Sequence, residues 1–95
     1  MRRYVIERDL PGVGDFSTEE VRDASATSCG AVAALGSGIE WEHSYVTADR
    51  LYCVYLAENE QLVREHAARA GLPATKIAEV IMIIDPLTAV LPRIQ

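Results

Sequence analysis

Ile39-Glu40-Trp41-Glu42-His43-Ser44-Tyr45-Val46 and Leu51-Tyr52-Cys53-Val54-Tyr55-Leu56-Ala57 are separated only by Thr47-Ala48-Asp49-Arg50, a spacing that predicts two strands in a tight antiparallel hairpin. Alternation in the first strand places Ile39, Trp41, His43 and Tyr45 on one face and Glu40, Glu42 and Ser44 on the other. With Ala48 and Asp49 at the turn, His43 faces Val54 and Tyr45 faces Tyr52; a slip of one residue would set His43 beside Cys53 or Tyr55 instead. The second strand is apolar or aromatic in both phases, so it needs cover on both sides.

Working outward, Ser17 and Glu20 form a capping box, and Phe16 and Val21 are placed to make a hydrophobic staple. A helix is predicted from Thr18, with Val21, Ala24, Ser28, Ala31, Val32 and Leu35 as its apolar stripe and Gly36-Ser37-Gly38 as its stop. Asn59 caps a second helix that runs through Arg69 to Gly71-Leu72-Pro73. Tyr4 to Leu10 reads as a first strand, ended by Pro11-Gly12-Val13-Gly14, whose glycines make a plain loop rather than a phosphate loop. A last strand is expected over Glu79 to Ile84, before Asp85-Pro86. The order strand, helix, strand, strand, helix, strand predicts an α+β, ferredoxin-like split β-α-β fold. Its four-stranded antiparallel sheet should run fourth, first, third, second, with both helices on one face.

Ninety-five residues, 49% of them hydrophobic, suit a single domain over 1–95, with 87–95 as a C-terminal tail whose Val90, Leu91 and Ile94 need a surface to dock on. So small a domain buries a limited share of its surface, and the bare sheet face invites a homodimer. The net charge of −5 with scattered arginines argues against nucleic acid or an anionic membrane as partner. Cys29 and Cys53 form no Cys-x-x-Cys pair and read as reduced thiols. The start lacks a signal-peptide core and the apolar run Val80 to Ile84 is too short to span a bilayer, so a cytoplasmic location is expected.

The chain has two histidines, and both are predicted to point inward. His43 shares its strand phase with aromatics, and His66 falls on the helical stripe of Leu62, Val63, Ala67 and Ala70. Lying on a strand and on a helix over one sheet, they could meet as nitrogen ligands of a transition metal. Equally, they could be core residues satisfied by a carbonyl or a carboxylate. Glu7 is the first-choice oxygen ligand, unless it pairs with Arg8 or Arg50 at the sheet rim. Cys53 could add a thiolate, or be a small hydrophobe. Glu42 and Glu65 flank the histidines but should face away from them as solvated charges. Tyr45, Tyr52 and Tyr55 could bind a ligand or act as acid–base groups through their phenols, but read first as interface or core aromatics.

Four phrases together resemble one family: Tyr4-Val5-Ile6-Glu7-Arg8-Asp9-Leu10-Pro11-Gly12, Trp41-Glu42-His43-Ser44-Tyr45-Val46-Thr47, Leu51-Tyr52-Cys53-Val54-Tyr55 and Arg64-Glu65-His66-Ala67. The family consists of small bacterial proteins described as nickel-binding, and the likeness runs to about Pro86. It implies a ferredoxin-like fold, a homodimer closed as a dimeric α+β barrel, and binding of Ni²⁺, with other divalent transition metals close in affinity. The leading function is thus cytosolic nickel binding, in sequestration or homeostasis, with His43, His66, Glu7 and Cys53 as candidate ligands. The rival is a small-molecule binder or enzyme using His43, His66 and Glu7 as acid–base groups between sheet and helices. A purely structural dimer is the third reading.

Overall fold

The computed structural model describes residues 1–93. Ile94, one of the tail's apolar residues, lies outside them. Six principal elements follow in order: β1 (Arg2–Asp9), α1 (Thr18–Leu35), β2 (Ile39–Val46), β3 (Arg50–Ala57), α2 (Glu60–Ala70) and β4 (Lys76–Glu79). The sheet order is β2-β3-β1-β4, antiparallel throughout, which is the predicted order read from the other edge. Both helices lie on one face: Ser28 of α1 and His66 of α2 each reach Tyr55 of β3.

Local signals set the helix boundaries. Ser17 Oγ accepts from the Glu20 amide while Glu20 Oε1 accepts from the Ser17 amide, so both halves of the capping box are made, satisfying donors that the first turn would leave orphaned. Asn59 Oδ1 accepts from the Leu62 amide. Gly71, at φ 67°, ends α2 in the left-handed region, where a side chain would be strained.

The helix-facing core comes from alternate residues of β1 and β3: Tyr4, Ile6 and Arg8 against Cys53, Tyr55 and Ala57, all buried. Val63 and Ala67 of α2 and Ala31 of α1 close over them. The alternate phase, Val5 and Glu7 with Tyr52, Val54 and Leu56, forms an open face with no helix on it.

The hairpin turns at Ala48-Asp49, with the Thr47 amide donating to the Arg50 carbonyl. As predicted for that turn, His43 pairs with Val54 and Tyr45 with Tyr52. Beyond His43 the register shifts: Trp41 pairs with Tyr55 and Ile39 with Ala57, leaving Glu42 as the extra residue of a β-bulge. An extra residue reverses the phase of the strand on its far side. This corrects the single-face reading of β2. Ile39 and Trp41 turn towards the helices, whereas His43 and Tyr45 turn to the open face.

The last strand also differs from expectation, occupying Lys76–Glu79 rather than Glu79 to Ile84. It pairs with Tyr4 to Glu7, and the Val80 amide still reaches the Arg3 carbonyl. Running antiparallel, the chain then passes the end of β1 and has no strand left to pair with. Ile81, Met82, Ile83 and Ile84 are 78%, 73%, 64% and 71% exposed. Leu87, Val90 and Leu91 are exposed as well, so the arm does not dock on its own domain.

Candidate functional site

The structure divides the predicted ligands between the two faces of the sheet. His66 and Cys53 are buried under the helices, while His43 and Glu7 belong to the open face. His43 and His66 therefore do not meet within one protomer, because the bulge at Glu42 rotates His43 away from the helix side. Nor is His43 inward: it is exposed, with Nε2 3.2 Å from the Tyr45 hydroxyl and the two rings edge to face at 5.1 Å. Glu7 pairs with Arg50, which also holds Asp9 at 2.9 Å. β3 lies between Glu7 and His43, which are also offset by two residues along the strands, so two strand spacings and two residue rises separate their backbones by about 12 Å.

The bulge brings in a carboxylate that strict alternation excludes. Glu42 Oε1 accepts from Arg3 Nε at 3.0 Å and Nη2 at 2.8 Å, and Arg3, out of phase with buried Tyr4, lies on the open side of β1. Glu42 thus shares a face with His43 instead of opposing it. On the helix side the bulge is spanned by Trp41 Nε1 donating to Ser44 Oγ at 3.0 Å. Among the described residues no three His, Cys, Asp or Glu side chains converge as a metal site. The described residues of one protomer therefore do not by themselves bring three such donors together.

Beneath the helices a different arrangement forms. His66 Nε2 is 3.3 Å from the Ser28 carbonyl and 3.2 Å from Ser28 Oγ, and that hydroxyl is 3.3 Å from Tyr55 OH. A carbonyl can only accept, so Nε2 carries the proton and Nδ1, buried and without a partner among the described residues, is the bare nitrogen of a neutral ring. Burial pushes the His66 pKa below its ordinary 6.5; the Ser28 carbonyl opposes that shift and the charge of Arg8 adds to it. Burial likewise raises the Tyr55 pKa.

Next to this cluster lies an apolar cavity of about 260 Å³ between α1, the hairpin and the β1–α1 loop. Phe16, Trp41, Val46, Leu51 and Leu72 form much of its wall, with Ser28 and Tyr55 contributing hydroxyls. The loop is pinned across one end: the Gly14 amide donates to the Ala48 carbonyl at 2.9 Å, and a Cβ at Gly14 would stand 2.8 Å from Ala48 Cα. Arg8, fully buried and in phase with Tyr4 and Ile6, was not among the predicted site residues. The alternation that assigned Glu7 to one face assigns Arg8 to the other, and that was the available signal.

The family model described as "Nickel responsive protein SCO4226-like" matches residues 4–80. The chain belongs to that family. A crystal structure of SCO4226 from Streptomyces coelicolor A3(2) aligns with a TM-score of 0.73, covering 86% of this chain and 99% of that one. At 15% identity the likeness is one of fold. None of the curated proteins matches the chain in sequence. The apolar arm from Ile81 onward falls beyond the family match.

Proposed function

We propose that the protein is a cytosolic, homodimeric nickel-binding protein that sequesters Ni²⁺ on the open face of its sheet. His43 is the nitrogen donor and Glu42 the neighbouring carboxylate. The observation that supports this most directly is the bulge, which turns an exposed imidazole and a carboxylate to the same side at the rim of an apolar face. Imidazole and carboxylate are a suitable mixed set for nickel, although copper and zinc compete for such ligands. Because one protomer lacks a third donor, the coordination sphere is completed between two copies. In that arrangement Glu7 contributes from across the interface. His66 and Cys53, on the other face, stand outside this site. Membership of a nickel-responsive family favours the same reading.

Calorimetric titration of tag-free protein with Ni²⁺, alongside Zn²⁺ and Cu²⁺, tests it. His43→Ala should abolish measurable nickel binding, and Glu42→Gln and Glu7→Gln should each weaken it. His66→Ala should leave nickel affinity in place while lowering thermal stability. Unchanged affinity in His43→Ala overturns the site.

A further inference from the structure

Arg8 is fully buried, yet only part of its guanidinium is satisfied. Nη1 donates to the Pro73 carbonyl at 2.7 Å, while Nε and Nη2 have no partner among the described residues. Among the described residues every ion pair involves other arginines. Removing an unpaired cation from water carries a desolvation penalty that relaxation only partly relieves, so the interior carries a standing demand for an anion.

The open donors define which anion. Nε and Nη2 form the guanidinium edge whose N–H bonds run parallel, the geometry that suits a carboxylate. The same edge meets a carboxylate elsewhere in this chain, where Arg3 Nε and Nη2 both donate to Glu42 Oε1. Arg8 itself does not line the apolar cavity, but residues next to it do. Leu10, just past the end of β1, lines that cavity, as do Leu51 opposite Arg8 and Leu72 beside the anchoring Pro73. Tyr55, which feels the charge of Arg8, supplies a hydroxyl to the same wall.

We propose that this cavity binds a small monocarboxylate with an apolar body, its carboxylate paired with the Nε and Nη2 edge of Arg8 and its body packed beside Trp41. One negative charge is called for, because no charged residue lines the cavity and His66 is held neutral. An apolar body is called for by the walls, and a small one by a volume of about 260 Å³, below the usual range of roughly 300–1,000 Å³ for drug-sized ligands. The Ser28 and Tyr55 hydroxyls bond to each other, which leaves one of their two protons free to donate to a carboxylate oxygen. Entry requires Leu51 or Leu72 to give way, or the guanidinium to turn outward from Pro73. This site is independent of the metal reading, since the sheet separates it from His43.

Trp41 lines the cavity and is the chain's single tryptophan, so its emission reports occupancy directly. Tag-free protein is titrated with phenylacetate and hexanoate, and with 2-phenylethanol and hexanol as uncharged counterparts. At least one acid should give a saturable change in Trp41 emission and a higher melting temperature, and bind at least tenfold more tightly than its alcohol. Arg8→Met removes a buried unpaired charge for an apolar side chain of similar length, and should fold while binding acid and alcohol alike. Should that variant fail to fold, Ser28→Ala combined with Tyr55→Phe serves instead, and should weaken the acid severalfold while sparing the alcohol. The proposal is overturned if neither acid gives a saturable response, if acid and alcohol bind equally in the unmodified protein, or if the folded variants keep the full preference for the acid.

Discussion

The imidazole of His66 lies against the phenol of Tyr55, their ring centroids 4.7 Å apart and their planes tilted by 53°. Ser28 joins them, its hydroxyl within hydrogen-bond distance of both. One residue from each helix is thus tied to strand β3, and burial together with the charge of Arg8 holds His66 neutral there, because a second proton would sit on Nδ1, which is buried and has no acceptor among the described residues.

Stability should therefore fall in acid. The unfolded histidine titrates near its ordinary 6.5 and the folded one lower. Below 6.5 the unfolded chain binds the extra proton, and stability drops as the pH descends from there to the depressed folded value. The slope contributed by one such group reaches about 1.4 kcal/mol per pH unit at most. Urea denaturation between pH 7.5 and 5 should show this loss, and His66→Phe should flatten it. An equal slope in that variant would refute the assignment.

Ser28→Ala should cost about 1–3 kcal/mol, because it leaves buried polar atoms of His66 and Tyr55 with fewer partners. Denaturant midpoints with an unchanged m-value would measure it. The adjacent Cys29 is exposed, and Cys29→Ala should change little.

Gly14→Ala should destabilise by about 1–3 kcal/mol. The new Cβ would meet backbone atoms, Ala48 Cα at 2.8 Å and the Thr47 oxygen at 2.9 Å, and backbone cannot swing aside as a side chain can. Gly30→Ala is the control, since a Cβ there meets nothing within 4 Å. Comparable melting temperatures for the two variants would count against the pinned loop.

Dimerisation through the open sheet face predicts different fates for neighbours on β3. Val54 belongs to that face and Cys53 to the core. Val54→Glu should yield a folded monomer by light scattering, whereas Cys53→Glu should prevent folding. An unmodified protein that is monomeric at micromolar concentration would exclude the dimer.

Much of the fold is legible in the sequence because its signals are local. The capping box at Ser17 and Glu20, the Asn59 cap and the two-residue turn at Ala48-Asp49 each act within a few residues, so they mark element boundaries wherever the chain goes, while the hairpin register stayed open to a one-residue slip until the strands were paired. The extent of β4 is not local, since it depends on how far β1 continues alongside it.

For the candidate site the division is sharper. Residue types and strand phase nominated His43, His66, Glu7 and Cys53, but which of them can meet depends on the bulge at Glu42. A bulge is one surplus residue relative to a partner strand, and no single strand carries that count in its own sequence. It sent Ile39 and Trp41 to the core and His43 to the open face, and it brought Glu42 round beside His43. Arg8 shows the same limit from the other side. Alternation alone put it in phase with Tyr4 and Ile6. Only the packing of both helices over that face decided that its charge would be sealed from water with two donors unpaired.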